Sequence, residues 1–474
     1  MITFFEIQPE KEVDEVLQGF TQRTADDSTV YYDVDELEDI IDHFLEKGYI
    51  TAAETAVNLG RTLHPNNTDI QYRQARLFTF QGKLDEALQL TTQIDDIDRK
   101  DLENMVLRGE ILLRLNKHRE AEALFDDLLK EELTDKELFC MEIAHVCTSV
   151  GYYDSAEKYL RIAHETNPKN LDIMLELAFI VQQNYENTEE AIDIYNQMID
   201  IEPYSIEAWF NLGQAYLAQD KPDKAADAFD FVTAIDEKEL NAWLQKAHAY
   251  FENKNYQKAL ETYQIYFEKT DKKELPLVYM GECYEEMEKY DKAIEYYQKA
   301  IDIVPDYVDA YVGLSTCMLS TERFEDCLDY TDRVLRLDPF NDEVWVYRAE
   351  AFVALDKPEE AIIAYERALK LDSEEPETFI ALGNLYLDKG DYYNALYCFK
   401  NANEIDDEIE KINLFFAVCY CKLQQFPLML AHLICAILEN NEAYKQFLEF
   451  CPEVQEFADE TEEIVEKIIK DDNV

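Results

Sequence analysis

"AWFNLGQAYLAQDKPDKAADAFDF" spans Ala208 to Phe231. Within it Trp209, Leu212, Gly213 and Tyr216 stand at i, i+3, i+4 and i+7, the spacing of one helix face. After the polar "AQDKPDK", Ala225, Phe229 and Val232 form a second stripe of the same kind. Two helices that cross tightly need small residues where their axes approach, and Gly213 and Ala225 supply them. Trp209, Tyr216 and Phe229 fill the space on either side, as close packing requires. The stretch reads as two helices joined by a short turn.

The same pattern recurs along the chain. A residue just after each polar turn repeats as Ala53, Ala87, Ala121, Ala156, Ala191, Ala225, Ala259, Ala293, Cys327, Ala361, Ala395 and Met429. The intervals are 34 residues, apart from two of 35. A second series occupies the first half of each unit: Ile41, Ala75, Gly109, Ala144, Ala178, Gly213, Ala247, Gly281, Ser315, Ala349, Gly383 and Ala417. Both stay in phase over twelve units, so the period belongs to the architecture rather than to chance. Pro65, Pro168, Pro203, Pro305 and Pro339 stand where second helices must stop. Tyr153, Tyr256, Tyr290, Phe324, Tyr392 and Phe426 open second helices at a common offset. The two extra residues fall in "EELTDK" (131–136) and "NYENTEE" (184–190), which read as loops.

Trp209, Leu212, Gly213, Tyr216, Ala225, Phe229 and the terminal prolines resemble the tetratricopeptide repeat, of the bacterial type in which repeats make up nearly all of the chain. The resemblance implies an all-α, right-handed superhelical solenoid of about twelve helix-turn-helix units over residues 34–440. The first and last units depart from the pattern at Ile41, Asn413 and Met429, as terminal repeats do. Residues 1–33 read as an N-terminal extension, with Val13, Val16, Leu17 and Phe20 on one short amphipathic turn. Asp33 followed by Glu36 forms a capping-box signature for the first helix. Residues 441–474 read as C-terminal capping helices, the second carrying a Val454, Phe457, Ile464, Ile468 stripe.

Composition limits what such an array can do. Lys and Arg number 44 against 102 Asp and Glu, a net charge of −58. That field repels phosphate backbones and anionic membrane surfaces, so neither nucleic acid nor membrane is expected as a partner. Hydrophobic residues make up 47% of the chain, enough for a packed core despite the acidity. "MITFFEIQPEK" lacks the basic and apolar regions of a secretory signal. The longest apolar run, Phe426–Leu438, is too short to span a bilayer of about 20 helical residues. The ten cysteines form no CxxC pair and fall mainly on apolar stripes, which predicts reduced core thiols in a cytoplasmic protein.

No glycine-rich phosphate loop, HExxH or nucleophile elbow is present, and neither end reads as a catalytic domain. His145 and His248 share an offset but lie three units apart, so they read as polar surface groups rather than a ligand pair. The expectation is a non-enzyme without metal or cofactor.

In the family it resembles, first helices line the inside of the superhelix. One inward offset holds Glu38, Tyr72, Val106, Met141, Leu175, Phe210, Leu244, Val278, Val312, Val346, Ile380 and Leu414, of which eleven are apolar. Four residues on, the offset is mostly polar and includes Gln214, His248, Glu282, Glu350 and Asn384. Such a strip suits an amphipathic helix or extended segment of a partner protein; the other reading is that it packs against the next helix. The Lys and Asn clamp by which some family members hold acidic peptide C-termini is absent, which points to a basic-apolar ligand. A scaffold binding such a segment is the expected function. The alternative is a structural element that forms homo-oligomers through its ends or faces.

Overall fold

A computed structural model of the chain describes residues 31–97, 102–130, 135–183, 188–372, 374–440 and 442–452, with positions 16, 19–21 and 454. Most of the N-terminal amphipathic turn, both inserted loops in part, and the stripe beyond Val454 lie outside these residues. The chain forms two compact units, residues 1–221 and 222–474.

The first unit contains α1 (Val34–Glu46), α2 (Ile50–Leu63), α3 (Thr68–Phe80), α4 (Leu84–Ile97), α5 (Leu102–Arg114), α6 (His118–Leu128), α7 (Lys136–Ser149), α8 (Tyr153–Thr166), α9 (Leu171–Gln182), α10 (Thr188–Ile201) and α11 (Ile206–Ala218). The second begins with α12 (Pro222–Ile235), α13 (Leu240–Glu252), α14 (Tyr256–Lys269), α15 (Glu274–Glu286), α16 (Tyr290–Ile303), α17 (Val308–Ser320) and α18 (Phe324–Leu337). It continues through α19 (Asp342–Ala354), α20 (Pro358–Leu371), α21 (Pro376–Asp388), α22 (Tyr392–Ile405), α23 (Ile412–Lys422), α24 (Phe426–Glu439) and α25 (Ala443–Phe450). No strand occurs among the described residues. Odd-numbered helices up to α23 are first helices of repeats, and even-numbered ones are second helices.

Within each unit paired helices pack on each other, most second helices pack on the next first helix, and neighbouring first helices also touch, as α1 with α3 and α15 with α17. Each small residue of the post-turn series is buried, from Ala53 to Met429. The fit is tight enough to be specific. A Cβ added at Gly109 would lie 2.1 Å from the Phe125 ring. At Gly281 and Gly313 it would lie 2.5 and 2.3 Å from the ring of Tyr297, which is wedged between those helices. Large rings therefore reach the crossing only because the facing helix has no side chain there.

Side chains cap many first helices. Asp33 accepts from the amide of Glu36 at 2.8 Å, as its sequence signature predicts. Asn67 and Asn341 do the same for Ile70 and Val344. The turn between paired helices carries a left-handed residue at a fixed place: Gly48, Gly82, Asn116, Gly151, Asp220, Lys254, Glu288, Glu322, Asp356, Gly390 and Gln424. Nine of the ten cysteines are buried and none is in a disulfide; Cys435 is exposed. Among the described residues no helix is long and apolar enough to cross a membrane.

Candidate functional site

Two adjoining open cavities lie on the first-helix face of the N-terminal unit. One, of about 510 Å³, is bounded by α3, α5, α7 and α9. Tyr72, Val106, Leu107, Leu138, Met141 and Val146 give it an apolar floor, and Glu103, Glu110, Glu142 and Glu176 bring carboxylates to it. The other, of about 370 Å³, is formed by Leu175, Phe179, Ile180, Tyr195 and Asn211, and shares His145 and Glu176 with the first. Leu138 and Phe179 are 51% and 52% exposed, large for apolar side chains on a helix. At a helix spacing of roughly 8–10 Å, four first helices in a row span about 30 Å, the length of a 20-residue helix.

The alternation arises from sequence order on α7. Leu138 and Met141 lie one turn apart, and Glu142 and His145 sit beside them. Burial raises the carboxyls of Glu142 and Glu176 above the usual range; the nearby Glu103 adds to the first shift, and His145 opposes the second. Toward the N-terminal end arginines reach the acids, although burial still raises the Glu38 carboxyl against the pull of Arg73. Arg73 reaches Glu38 at 3.2 Å and Asp42 at 2.8 Å, and Arg76 also pairs with Asp42. Arg108 pairs with Asp95, and Arg114 with Glu110. The acidic member of the apolar offset, Glu38, is thus held by an arginine of the next repeat.

The expected strip is divided between the units. Tyr72, Met141, Leu175 and Phe210 are half-buried in the first unit, Gln214 beside them. In the second, Leu244, Val312, Val346 and Ile380 are half-buried and also pack against core clusters. Both readings of the strip therefore hold in part: these side chains brace neighbouring helices and keep a solvent edge. Val278 is only 2% exposed, enclosed with Tyr263 and Tyr311, and offers nothing to a partner. At the polar offset His248 and Glu350 are exposed, with His248 3.7 Å from Glu252, while Glu282 and Asn384 are half-buried. Leu138 and Phe179, the exposed apolar groups of these two cavities, lie off the apolar offset. Their signal was the neighbouring helical position, one turn from Met141 and Leu175.

The second unit's face is charged differently. Burial pushes the Glu282 carboxyl up to about 7, helped by Glu285, Asp309, Glu286 and Glu343. Glu285 accepts a 2.8 Å hydrogen bond from the Tyr297 hydroxyl, yet its carboxyl is also raised, chiefly by burial. Among the described residues no Lys or Arg pairs with Glu282, Glu285, Glu343 or Glu350, and no group of three or more His, Cys, Asp or Glu could hold a metal ion.

A family model described as the C-terminal domain of cilia and flagella-associated protein 70 matches residues 233–462. One for subunit 3 of the anaphase-promoting complex, or cyclosome, matches residues 184–265. Helix pairs repeating at 34 residues, together with these matches, define an all-α repeat solenoid. The chain is a tetratricopeptide-repeat protein. BBSome complex member BBS4 of mouse is 26% identical over 147 residues, 31% of this chain and 28% of that protein. The bovine protein of the same name gives the same identity and coverage, so the chain spans just over a quarter of the length of these curated relatives. Among solved structures, yeast Tom70 superposes with a TM-score of 0.45 at 13% identity, covering 82% of this chain and 96% of that one. The APC/C hetero-tetramer Cut9-Hcn1 gives 0.40 at 14%, covering 84% and 98%.

Proposed function

We propose that the protein is a non-catalytic scaffold that holds a basic-apolar helical segment of a partner protein on the first-helix face of its N-terminal unit. The observation that carries this reading is the pair of cavities sharing His145 and Glu176, where exposed Leu138 and Phe179 alternate with the carboxylates of Glu103, Glu142 and Glu176. An apolar floor takes the partner's anchors, and interfaces of this kind draw most of their energy from a few such desolvated contacts. Glu103, Glu142 and Glu176 complement a basic edge and chiefly speed encounter. The printed names of the matched proteins, a member of one complex and a subunit of another, support a role in assembly.

The test uses two helical peptides of equal apolar content, one with Lys and Arg and one with Glu on the polar face. Binding of the basic peptide is expected to weaken at least tenfold in Leu138→Asp and in Phe179→Asp, with circular dichroism unchanged. Equal binding of the acidic peptide, or wild-type affinity in both variants, would defeat the proposal. Association should slow with added salt more than dissociation quickens.

A further inference from the structure

The last repeat breaks a pattern that the repeats before it keep. Four residues ahead of the small residue of the first helix stand Trp209, Trp243, Tyr311, Trp345 and Phe379, in five of the six repeats before the last. Trp209, Trp243 and Tyr311 each donate to the carbonyl six residues back, that of Pro203, Glu237 and Pro305, at 2.9, 3.0 and 3.0 Å. The ring thus closes over the loop that leads into its own helix. In the repeat of Trp243 a cation completes the arrangement. The Lys269 ammonium lies 5.7 Å from the Trp243 ring centroid and pairs with Glu237 at 2.7 Å.

Five repeats of 34 residues further on, the positions of Trp243, Lys269 and Glu237 hold Asn413, Glu439 and Asp407. The ring has become an amide and the cation an acid. Asn413 donates to Glu439 and lies 2.8 Å from Nδ1 of His432, turned to α24 instead of the loop. The first helix also starts late. Helices α11, α13, α17, α19 and α21 begin three residues before the aromatic, but α23 begins one residue before Asn413, after Lys411 at φ 67. At this place lies a cavity of about 460 Å³, bounded by Asp407 and Ile409 of the loop, Asn413, Ala436, Glu439 and Gln446. Gln446 belongs to α25, which lines the cavity without filling it. The volume falls among the roughly 300–1,000 Å³ of ligand sites. Glu408 and Glu410 bring the acids on its wall to four, against Lys411.

We propose that this cavity binds an aromatic side chain, Trp or Tyr, flanked by Lys or Arg, on a partner protein. The partner's ring takes the place that Trp243 holds in its own repeat. Its N–H or O–H reaches the Asp407 carbonyl, as Trp243 reaches that of Glu237, and its cation stands for Lys269 between Asp407 and Glu439. An aromatic group with one polar edge and a basic neighbour meets all three demands, which an aliphatic or acidic segment does not. The site lies in the C-terminal unit and is independent of the first-helix site of the other.

The test uses the full chain and a blocked Lys-Trp-Lys tripeptide with fluorine on the indole, followed by fluorine NMR. A saturable shift is expected, reversed by unlabelled Lys-Trp-Lys and at least tenfold less effectively by Lys-Leu-Lys or Glu-Trp-Glu. Asn413→Trp puts the chain's own ring in the cavity and should weaken binding at least tenfold with circular dichroism unchanged. Glu439→Lys, which restores the cation at the exposed edge, should weaken it at least fivefold and serves if the first variant fails to fold. Leu138→Asp in the other unit should have no effect. Equal binding by wild type, Asn413→Trp and Glu439→Lys, or equal displacement by Lys-Leu-Lys, would overturn the proposal. So would a shift seen only in Phe457→Ala, which would mean that the chain fills the cavity itself. A dimer that Asn413→Trp returns to monomer would do the same, with a second copy as the occupant.

Discussion

Two groups of repeats, one in each unit, meet the same electrostatic problem in opposite ways. Both turn carboxylates toward the face made by first helices. In the N-terminal unit, Arg73, Arg76, Arg108 and Arg114 pair with Glu38, Asp42, Asp95 and Glu110. In the C-terminal unit, Lys246 and Arg348 pair with Asp230 and Asp332, but Glu282, Glu285 and Glu343 repel one another, no Lys or Arg pairs with them among the described residues, and burial raises the Glu282 carboxyl to about 7. The comparison teaches that charge on this face is set locally: at Glu38 and Asp42 the next first helix brings arginines to the right turn. Arg73 and Arg76 lie 31 and 34 residues beyond Asp42, one repeat on. Around Glu282, where no such arginine is found among the described residues, burial and neighbouring acids together raise the carboxyl.

Packing is what the two units share, and the largest expected effects come from breaking it. Gly109→Ala drives a methyl into the Phe125 ring, and Gly313→Ala drives one into Tyr297. Each should cost about 1–3 kcal/mol, the usual penalty of overpacking. Hydrogen exchange read helix by helix should place the loss in α5 and α6 for the first and in α16 and α17 for the second. Wild-type exchange in both variants would show that the rings are free to move away.

The unpaired acids give the next effect. Glu282 has a carboxyl raised from 4.5 to about 7, so its folded form favours the proton. Its contribution to stability is fully present below 4.5 and is lost as pH rises through 7. Glu282→Gln should stabilise the C-terminal unit at pH 8 by on the order of 1–2 kcal/mol, discounted for the water that still reaches the side chain. Its melting temperature should also vary less than wild type between pH 5 and 8. An unchanged pH profile would mean that Glu282 keeps an ordinary carboxyl.

The contrasting variant in the first unit is Arg73→Leu. It strands Glu38 and leaves Asp42 to Arg76 alone, and should cost about 1 kcal/mol, a loss that high salt reduces. A loss that does not respond to salt would assign the arginine's role to its aliphatic stem. The smallest effect is a gain. Glu288 holds φ 55 in the turn between α15 and α16. Glycine is free of the side-chain penalty there, so Glu288→Gly should stabilise by about 0.5–1 kcal/mol in chemical denaturation. A loss instead would show that the glutamate makes a compensating contact.

Much of this was legible in the sequence. The two series of small residues predicted the paired helices, and the aromatic residues from Tyr153 to Phe426 marked where second helices open. Gly48, Gly82, Gly151 and Gly390 keep the repeat spacing and announce the left-handed turn position. Seven other repeats fill that position with ordinary side chains, so composition alone could not reveal it there. The face was legible only as a periodicity. Tyr72 and Val278 share an offset, yet one keeps a solvent edge and the other is enclosed by Tyr263 and Tyr311. What separates them is the size of side chains a repeat away, which a single offset does not carry. The ion pairs were hidden for the same reason.

The recurring left-handed turn has a further consequence. Lys254, Glu288, Glu322 and Asp356 hold φ of 55, 55, 58 and 55 at successive 34-residue steps. Each is the same joint in the backbone, whatever its side chain. A genetic exchange that cuts at one such joint and rejoins at another removes or adds a whole module and leaves every remaining bend as it was. Gene duplication and unequal crossing-over can thus lengthen or shorten a protein of this design in single steps, with no new turn to be invented.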